Sequence, residues 1–310
     1  MDGSKGTGIV VIGTTFVDIK GYPLGEYIPA GRNAGRVVEV HGGVSRNIAE
    51  DIANLGLHPT YVSTVDESGA GSAVVRRLEE RGCGTAYIRT AADGLGTWLA
   101  VFDHTGDVVA SISKRPDMSG IQRILDEEGD DIVSSADSIA VEVDIDEPIL
   151  MRILELAEKH GKKVYSPVTN MTIAAERSAL LNRIDCLVCN LQEAGILFGA
   201  DYSKTGIQAL IGILSEKIKE CGIRSMVVTL GSAGAAFVAS DGERGYCPTR
   251  PVDVVDTTGA GDAFFAGVAA GLTYGKTLEE ACKIGTLLAT SCISSDENVC
   301  RVFSHEESGL

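Results

Sequence analysis

Short runs of apolar, β-branched residues alternate along the chain with longer segments whose apolar positions recur every three or four residues. The first period is that of a strand buried on both faces and the second that of an amphipathic helix. Strands are predicted at 9–13, 60–65, 86–89, 138–143, 163–166, 186–189 and 225–230. Helices are predicted at 45–55, near 70–81 and from about 278, where Thr277 and Glu280 have the spacing of a capping box. This alternation predicts an α/β fold with a mostly parallel sheet and helices on both faces. Two pieces break it. Residues 97–102 and 107–113 read as a hairpin turned by Asp103-His104-Thr105-Gly106, and 17–40 is rich in glycine and proline with β character at 36–40. Together, segments of about 16–40 and 97–113 are expected to form a small projecting sheet, which either covers a cleft as a lid or pairs with a second subunit. An ordinary edge hairpin is the alternative. No repeat or long linker divides the chain, so all 310 residues read as one unit.

Composition narrows the classes. A net charge of −16 argues against nucleic acid or an anionic membrane as partner. Hydrophobic content of 44% provides for a large core. No run approaches a membrane span, and the first residues lack a signal-peptide core, so a cytoplasmic location is expected. Eight cysteines are scattered along the chain. Cys186 and Cys189 form a C-x-x-C, but they lie within a predicted buried strand with no second pair or histidine cluster. A structural role is expected for both rather than a redox or zinc site.

The most specific segment is Asp256-Thr257-Thr258-Gly259-Ala260-Gly261-Asp262-Ala263-Phe264. A small-residue loop entering an apolar helix directs free amides and the positive end of the helix dipole at one spot, which suits a phosphate. Asp262 beside it can take a proton from a hydroxyl as a phosphoryl group arrives, and at a helix N-terminus it is expected to be ionised. The spacing fits neither the dinucleotide fingerprint nor the Walker loop, which needs a following Lys-Ser/Thr.

This segment is similar to the C-terminal signature of the PfkB, or ribokinase-like, family of carbohydrate and nucleoside kinases. A second signature of that family stands about 200 residues earlier, in His41-Gly42-Gly43-Val44-Ser45-Arg46-Asn47-Ile48-Ala49. The resemblance implies a ribokinase-like three-layer α/β/α fold with a small β lid, and ATP and Mg2+ as cofactors. It implies that Asp262 is the base and that the amides of Gly259, Ala260 and Gly261 form the anion hole. Asp18, Gly42, Gly43 and Asn47 would bind the acceptor. Asn190-Leu191-Gln192-Glu193 resembles the family's N-x-x-E motif, with Asn190 reaching ATP phosphates and Glu193 organising the waters of Mg2+. Thr229 and Gly231 would contact the nucleotide, although a plain turn from strand to helix is the alternative. Asp256 and Thr258 match positions that help hold a potassium-like ion. The rest of that site would come from 291–299, which lacks the glycine-rich form of typical ribokinases.

Several patches, among them Arg46, Glu50 and the hairpin at 102–107, resemble the pseudouridine kinase branch, which makes pseudouridine 5′-phosphate. Lys114 and Arg115 depart from it. The runner-up acceptor is ribose, fructose or a related sugar. A non-catalytic sugar sensor would need neither Asp262 nor the Asn190/Glu193 pair. The partners expected are thus a small nucleoside or sugar and ATP, with a homodimer formed through the lid.

Overall fold

The computed structural model describes residues 8–104, 107–249 and 251–310. Its main sheet has nine strands: β1 (Ile9–Ile12), β4 (Thr60–Val65), β5 (Gly84–Thr90), β8 (Ser138–Val141), β9 (Lys163–Pro167), β10 (Cys186–Asn190), β11 (Ser225–Thr229), β12 (Ala235–Ala239) and β13 (Arg244–Cys247), in the order β13-β12-β11-β10-β9-β8-β1-β4-β5. Every pair from β11 to β5 is parallel, and β12 and β13 close one edge antiparallel. The apolar runs follow from this position. In β1, Val10 and Ile12 enter the core on one side of the sheet, and Ile9 and Val11 enter the core on the other. A strand covered by helices on both faces has no polar side to show.

The antiparallel edge departs from the sequence reading. After β11 the chain makes a short 3₁₀ turn, Gly231–Ala233, and Gly234 has φ 101°. Leu230 N–H then donates to the Gly234 carbonyl at 2.7 Å, and the chain reverses into β12. The glycine-rich loop therefore joins two strands rather than a strand to a helix. The strand expected at 138–143 stops at Val141, which frees Glu142 from the ladder.

The second sheet takes β2 (Phe16–Pro23), β3 (Gly35–Gly42), β6 (Gly96–Phe102) and β7 (Val108–Lys114) in the order β3-β2-β6-β7. Of the hairpin turn expected at 103–106, Thr105 and Gly106 lie outside the described residues. Register puts Asp18 opposite Trp98 and Val40, and Lys20 opposite Ala100 and Val38. One face of this sheet thus presents Asp18, Lys20, Tyr22, Trp98 and Phe102, and the other presents Ile19, Leu99 and Ile112.

Cys186 and Cys189 fall on opposite faces of β10, one in each core, so they cannot meet. Burial pushes both thiols up, Cys186 to about 12. Both are free and packed as small apolar residues. No helix among the described residues is long and apolar enough to cross a membrane.

The capping box at Thr277 and Glu280 is present and starts the helix Leu278–Ile293. That helix packs against Ala260–Thr273, which is buried from Ala263 to Gly271 and aims its N-terminus at the cleft between the sheets. Phe265 is fully buried at the centre of this helix. Phe265→Ala should cost about 3–5 kcal/mol in urea unfolding. A loss below about 1 kcal/mol would mean that the site helix is not anchored by this packing.

Candidate active site

The site forms at the carboxyl ends of the parallel strands, where doubly wound sheets bind ligands. Helix Val44–Asn54 begins here, capped by Gly43 with φ 94°. Gly42 lies against Asp18, and a Cβ there would sit 2.5 Å from the carboxyl atoms. Asn47, one turn into the helix, donates from Nδ2 to Asp262 Oδ2 at 2.8 Å. Its Oδ1 accepts from Arg46 Nη1 at 3.0 Å, which fixes the amide orientation. Arg46 in turn pairs with Glu50, which is fully buried and also accepts from Arg77 Nε at 2.7 Å. A second Arg77 nitrogen reaches Glu297 at 2.7 Å.

Asp262 opens onto the cleft on one side and is crowded by protein on the others. Burial pushes its carboxyl up to about 7, the nearby Asp18 adds to the shift, and Asn47 and Arg46 oppose it. Burial thus works against the helix N-terminus, which was expected to keep this acid ionised. Desolvation outweighs a dipole effect that is ordinarily below about 1 kcal/mol. Asp18 itself is pushed up to about 6 by burial, against Lys20, Arg46 and a hydrogen bond from Asn298.

The loop before the helix is held by a close approach. Gly259 has φ 80°, and a Cβ there would fall 2.0 Å from the Asn298 carbonyl oxygen. Ala260 N–H is directed at the Thr257 carbonyl at 3.3 Å, so it must turn from that bond to serve an anion. Ala260 and Gly261 line a cavity of about 690 Å³ together with Thr229, Gly231, Thr257 and Phe264. Thr229 and Gly231 of the expected nucleotide side and two of the three expected anion-hole residues therefore share one space, which Asn190 does not line.

Asn190 and Glu193 are brought to the same edge, since Asn190 pairs with Thr229 at the ends of β10 and β11. They cap their helix reciprocally: Glu193 N–H donates to Asn190 Oδ1 at 2.9 Å, and Asn190 N–H to Glu193 Oε2 at 2.7 Å. Beside them stand two acids that the sequence reading missed. Glu142 accepts from Ser45 Oγ at 2.6 Å and is pushed up to about 7 by burial, with Asp144 adding to the shift. Asp144 accepts from Thr169 Oγ1 at 2.7 Å through Oδ2, while its buried Oδ1 has no hydrogen-bond partner. An acid just past a parallel strand is the available signal: the strand predicted to 143 hides Glu142, whereas Asp144 directly follows its predicted end.

Among the described residues, no three of His, Cys, Asp and Glu converge closely enough to cage a metal. Unbalanced carboxylates without a cage fit Mg2+, which keeps most of its waters and is held through substrate phosphates. Glu193 and Asp144, whose Oδ1 has no partner, would orient such waters if Mg2+ were bound.

Asp256 and Thr258 are also together: Thr258 donates to Asp256 Oδ1 from N at 2.8 Å and from Oγ1 at 2.7 Å. Lys20, not singled out in the sequence, stands on the other side of that carboxylate, with Nζ 3.7 Å from Oδ2. Of the two cations that depart from the pseudouridine kinase pattern, Lys114 makes an exposed pair with Asp93 and Arg115 donates to the Asp144 carbonyl at 3.4 Å.

Comparison with known proteins agrees with this geometry. Residues 7–298 match the model of the pfkB family of carbohydrate kinases. The chain is 33% identical over 292 residues to a guanosine-inosine kinase of Exiguobacterium acetylicum, covering 94% of this chain and 95% of that protein. It is 26% identical over 291 residues to a pseudouridine kinase of Escherichia coli, covering 92% and 90%. In fold it matches a ribokinase of Arabidopsis thaliana, solved with ribose and ATP, at a TM-score of 0.85 and 23% identity over 97% of both chains. The fold is thus ribokinase-like, and the chain belongs to the pfkB family, whose kinases phosphorylate sugars or nucleosides.

Proposed function

We propose that the protein transfers the γ-phosphoryl group of ATP, bound with Mg2+, to the 5′-hydroxymethyl group of a nucleoside. The observation that carries this reading is the Asp262 carboxyl, held by Asn47 between an acceptor side (Asp18, Gly42) and a helix N-terminus that opens on a large cavity. Asp262 takes the hydroxyl proton as the oxygen attacks, and the amides of Gly259, Ala260 and Gly261 receive the charge on the transferred group. Phosphoryl transfer needs positioning and charge stabilisation more than covalent chemistry, and these groups supply both. Mg2+ would neutralise charge on the ATP phosphates.

A nucleoside is favoured over a free sugar by the face of the small sheet that carries Asp18. Trp98, opposite Asp18, is half-buried and meets Phe102 edge-on at 6.4 Å, and Phe102 stacks on Tyr22 at 4.8 Å. An aromatic shelf beside the sugar-binding acid is what a nucleobase needs. Of the relatives above, the one at 33% identity puts purine ribonucleosides such as inosine and guanosine first. Pseudouridine, expected from patches of sequence, is the second candidate, in line with the relative at 26%. The small sheet acts in this reading as the lid over the acceptor.

Turnover of inosine, guanosine, pseudouridine, uridine, ribose and fructose with ATP tests the acceptor. Good turnover of ribose or fructose without any nucleoside would reject the reading. Trp98→Ala should weaken nucleoside binding by about 1–3 kcal/mol, seen as a rise in KM of about tenfold with a smaller change in kcat.

Asp262→Asn should lower kcat by about 10²–10⁴-fold. In the parent, kcat/KM should rise with pH and level off near the Asp262 value of about 7. The same shift has a sign in stability. The folded chain holds this proton more tightly than the unfolded chain, so stability falls as pH rises through about 7. Asp262→Asn should therefore melt higher than the parent at alkaline pH and not at acid pH. A flat rate profile across this range would remove Asp262 as the base.

The outward face of the lid supports the homodimer. Ile19, Leu99 and Ile112 align across three strands, and Val37 and Ile112 are 74% and 69% exposed. Such a contiguous apolar face on a sheet is covered in a stable protein. Sedimentation should give twice the chain mass, and Ile112→Lys should give monomers. A monomeric parent would rule the dimer out.

A further inference from the structure

Lys20 is a buried cation for which the kinase chemistry has no use. Its side chain is only 3% exposed, on the lid strand β2. Its Nζ donates to Asn298 Oδ1 at 3.2 Å and stands 3.7 Å from Asp256 Oδ2. The same Asn298 amide donates from Nδ2 to Asp18 at 3.4 Å. A lysine ammonium is a compact, strongly hydrated point charge, and burying one is costly unless acids and carbonyls replace its water. Here it faces the Asp256 carboxylate and is linked to Asp18 through Asn298, at the point where three parts of the chain meet: the lid, the loop before helix Ala260–Thr273 and the segment near residue 298.

This is also the place where sequence resemblance put a monovalent ion, held by Asp256, Thr258 and 291–299. The residues present do not fit one. Asp256 Oδ1 already accepts two hydrogen bonds from Thr258, and Oδ2 faces the ammonium. The Thr258 carbonyl accepts from the Cys292 thiol at 3.4 Å, and the Glu297 carbonyl lies 3.8 Å from the same sulfur. Burial pushes that thiol up to about 12, so it keeps its proton for these carbonyls. A second cation placed beside the ammonium would be repelled by it at short range in a poorly solvated site.

We propose that the Lys20 ammonium does the work of a monovalent cation here: it neutralises Asp256 and ties the lid to the anion-hole loop, so that the enzyme needs no potassium. Lys20 is then a positioning residue. It touches no reacting atom, but the loop it braces carries Gly259, whose backbone lies against Asn298. A tethered cation cannot dissociate, so the loop stays ordered at any potassium concentration. The inference rests on the kinase reading of this loop but not on the identity of the acceptor.

The test compares potassium with tetramethylammonium at equal ionic strength, on the parent and on Lys20→Met. Two readouts are taken, ATP-dependent turnover and the melting temperature of the protein without substrates. A bound ion stabilises the folded state in proportion to the logarithm of its occupancy, so melting reports the ion even if the acceptor is misassigned. The parent should show the same rate and melting temperature in both salts. Lys20→Met should lose about tenfold in turnover in tetramethylammonium, the order expected when a half-buried carboxylate loses its charged partner. Potassium, but not tetramethylammonium, should restore part of that rate and raise the melting temperature of the variant. A potassium-specific gain in rate or melting temperature in the parent would overturn the proposal, and this arm needs no variant. So would a Lys20→Met enzyme that is unimpaired, or one whose only defect is a higher acceptor KM that potassium does not correct.

Discussion

The hydrogen bond from Asn47 to Asp262 joins the two halves of the site. Asn47 rides on the helix that follows the glycine pair, and Asp262 on the helix that follows the small-residue loop. Each helix presents its positive end to the cleft, so each attracts negative charge, and the acid between them is raised toward neutrality by the packing that positions it. Without Asn47 the carboxyl would be both desolvated and undirected. With it, one oxygen is fixed and the other is left to the cleft.

Charge around this bond is arranged in pairs that reach outward. Arg46 orients Asn47, Glu50 holds Arg46, Arg77 holds Glu50, and Glu297 meets Arg77 near the surface. Glu50 is fully buried yet is met by several arginine nitrogens, so its cost of burial is offset by well-placed donors. The acids on the other side, Glu142 and Asp144, have no such cations. That imbalance leaves negative potential on this side of the cleft without a protein cation to answer it.

Much of this was legible in the sequence. The strands that became the parallel sheet were visible because burial on both faces leaves no polar positions. The two glycine signatures were visible because close backbone approach admits little else. The antiparallel edge was hidden, because β12 and β13 are short and the turn between β11 and β12 looks like any glycine-rich loop. Glu142 was hidden by one misplaced strand end. Lys20 was hidden for a deeper reason: nothing in Val17-Asp18-Ile19-Lys20 says that a lysine points inward. That depends on the pleat of the lid and on a partner, Asn298, that lies 278 positions away.

That separation bears on how the protein comes into being on the ribosome. Asn47 waits for a partner 215 residues later, and Asp51 Oδ1 accepts from the Cys300 amide, 249 residues on. Contacts of such range form late, after loop closure has been achieved elsewhere. The first strands and the lid can pair while synthesis continues, and Glu50 finds Arg46 and Arg77 early, but Lys20 waits for Asp256 and Asn298 and Asp51 for Cys300. The cleft therefore gains the last of these contacts only after the segment near residue 300 has docked on the lid and the helix Val44–Asn54.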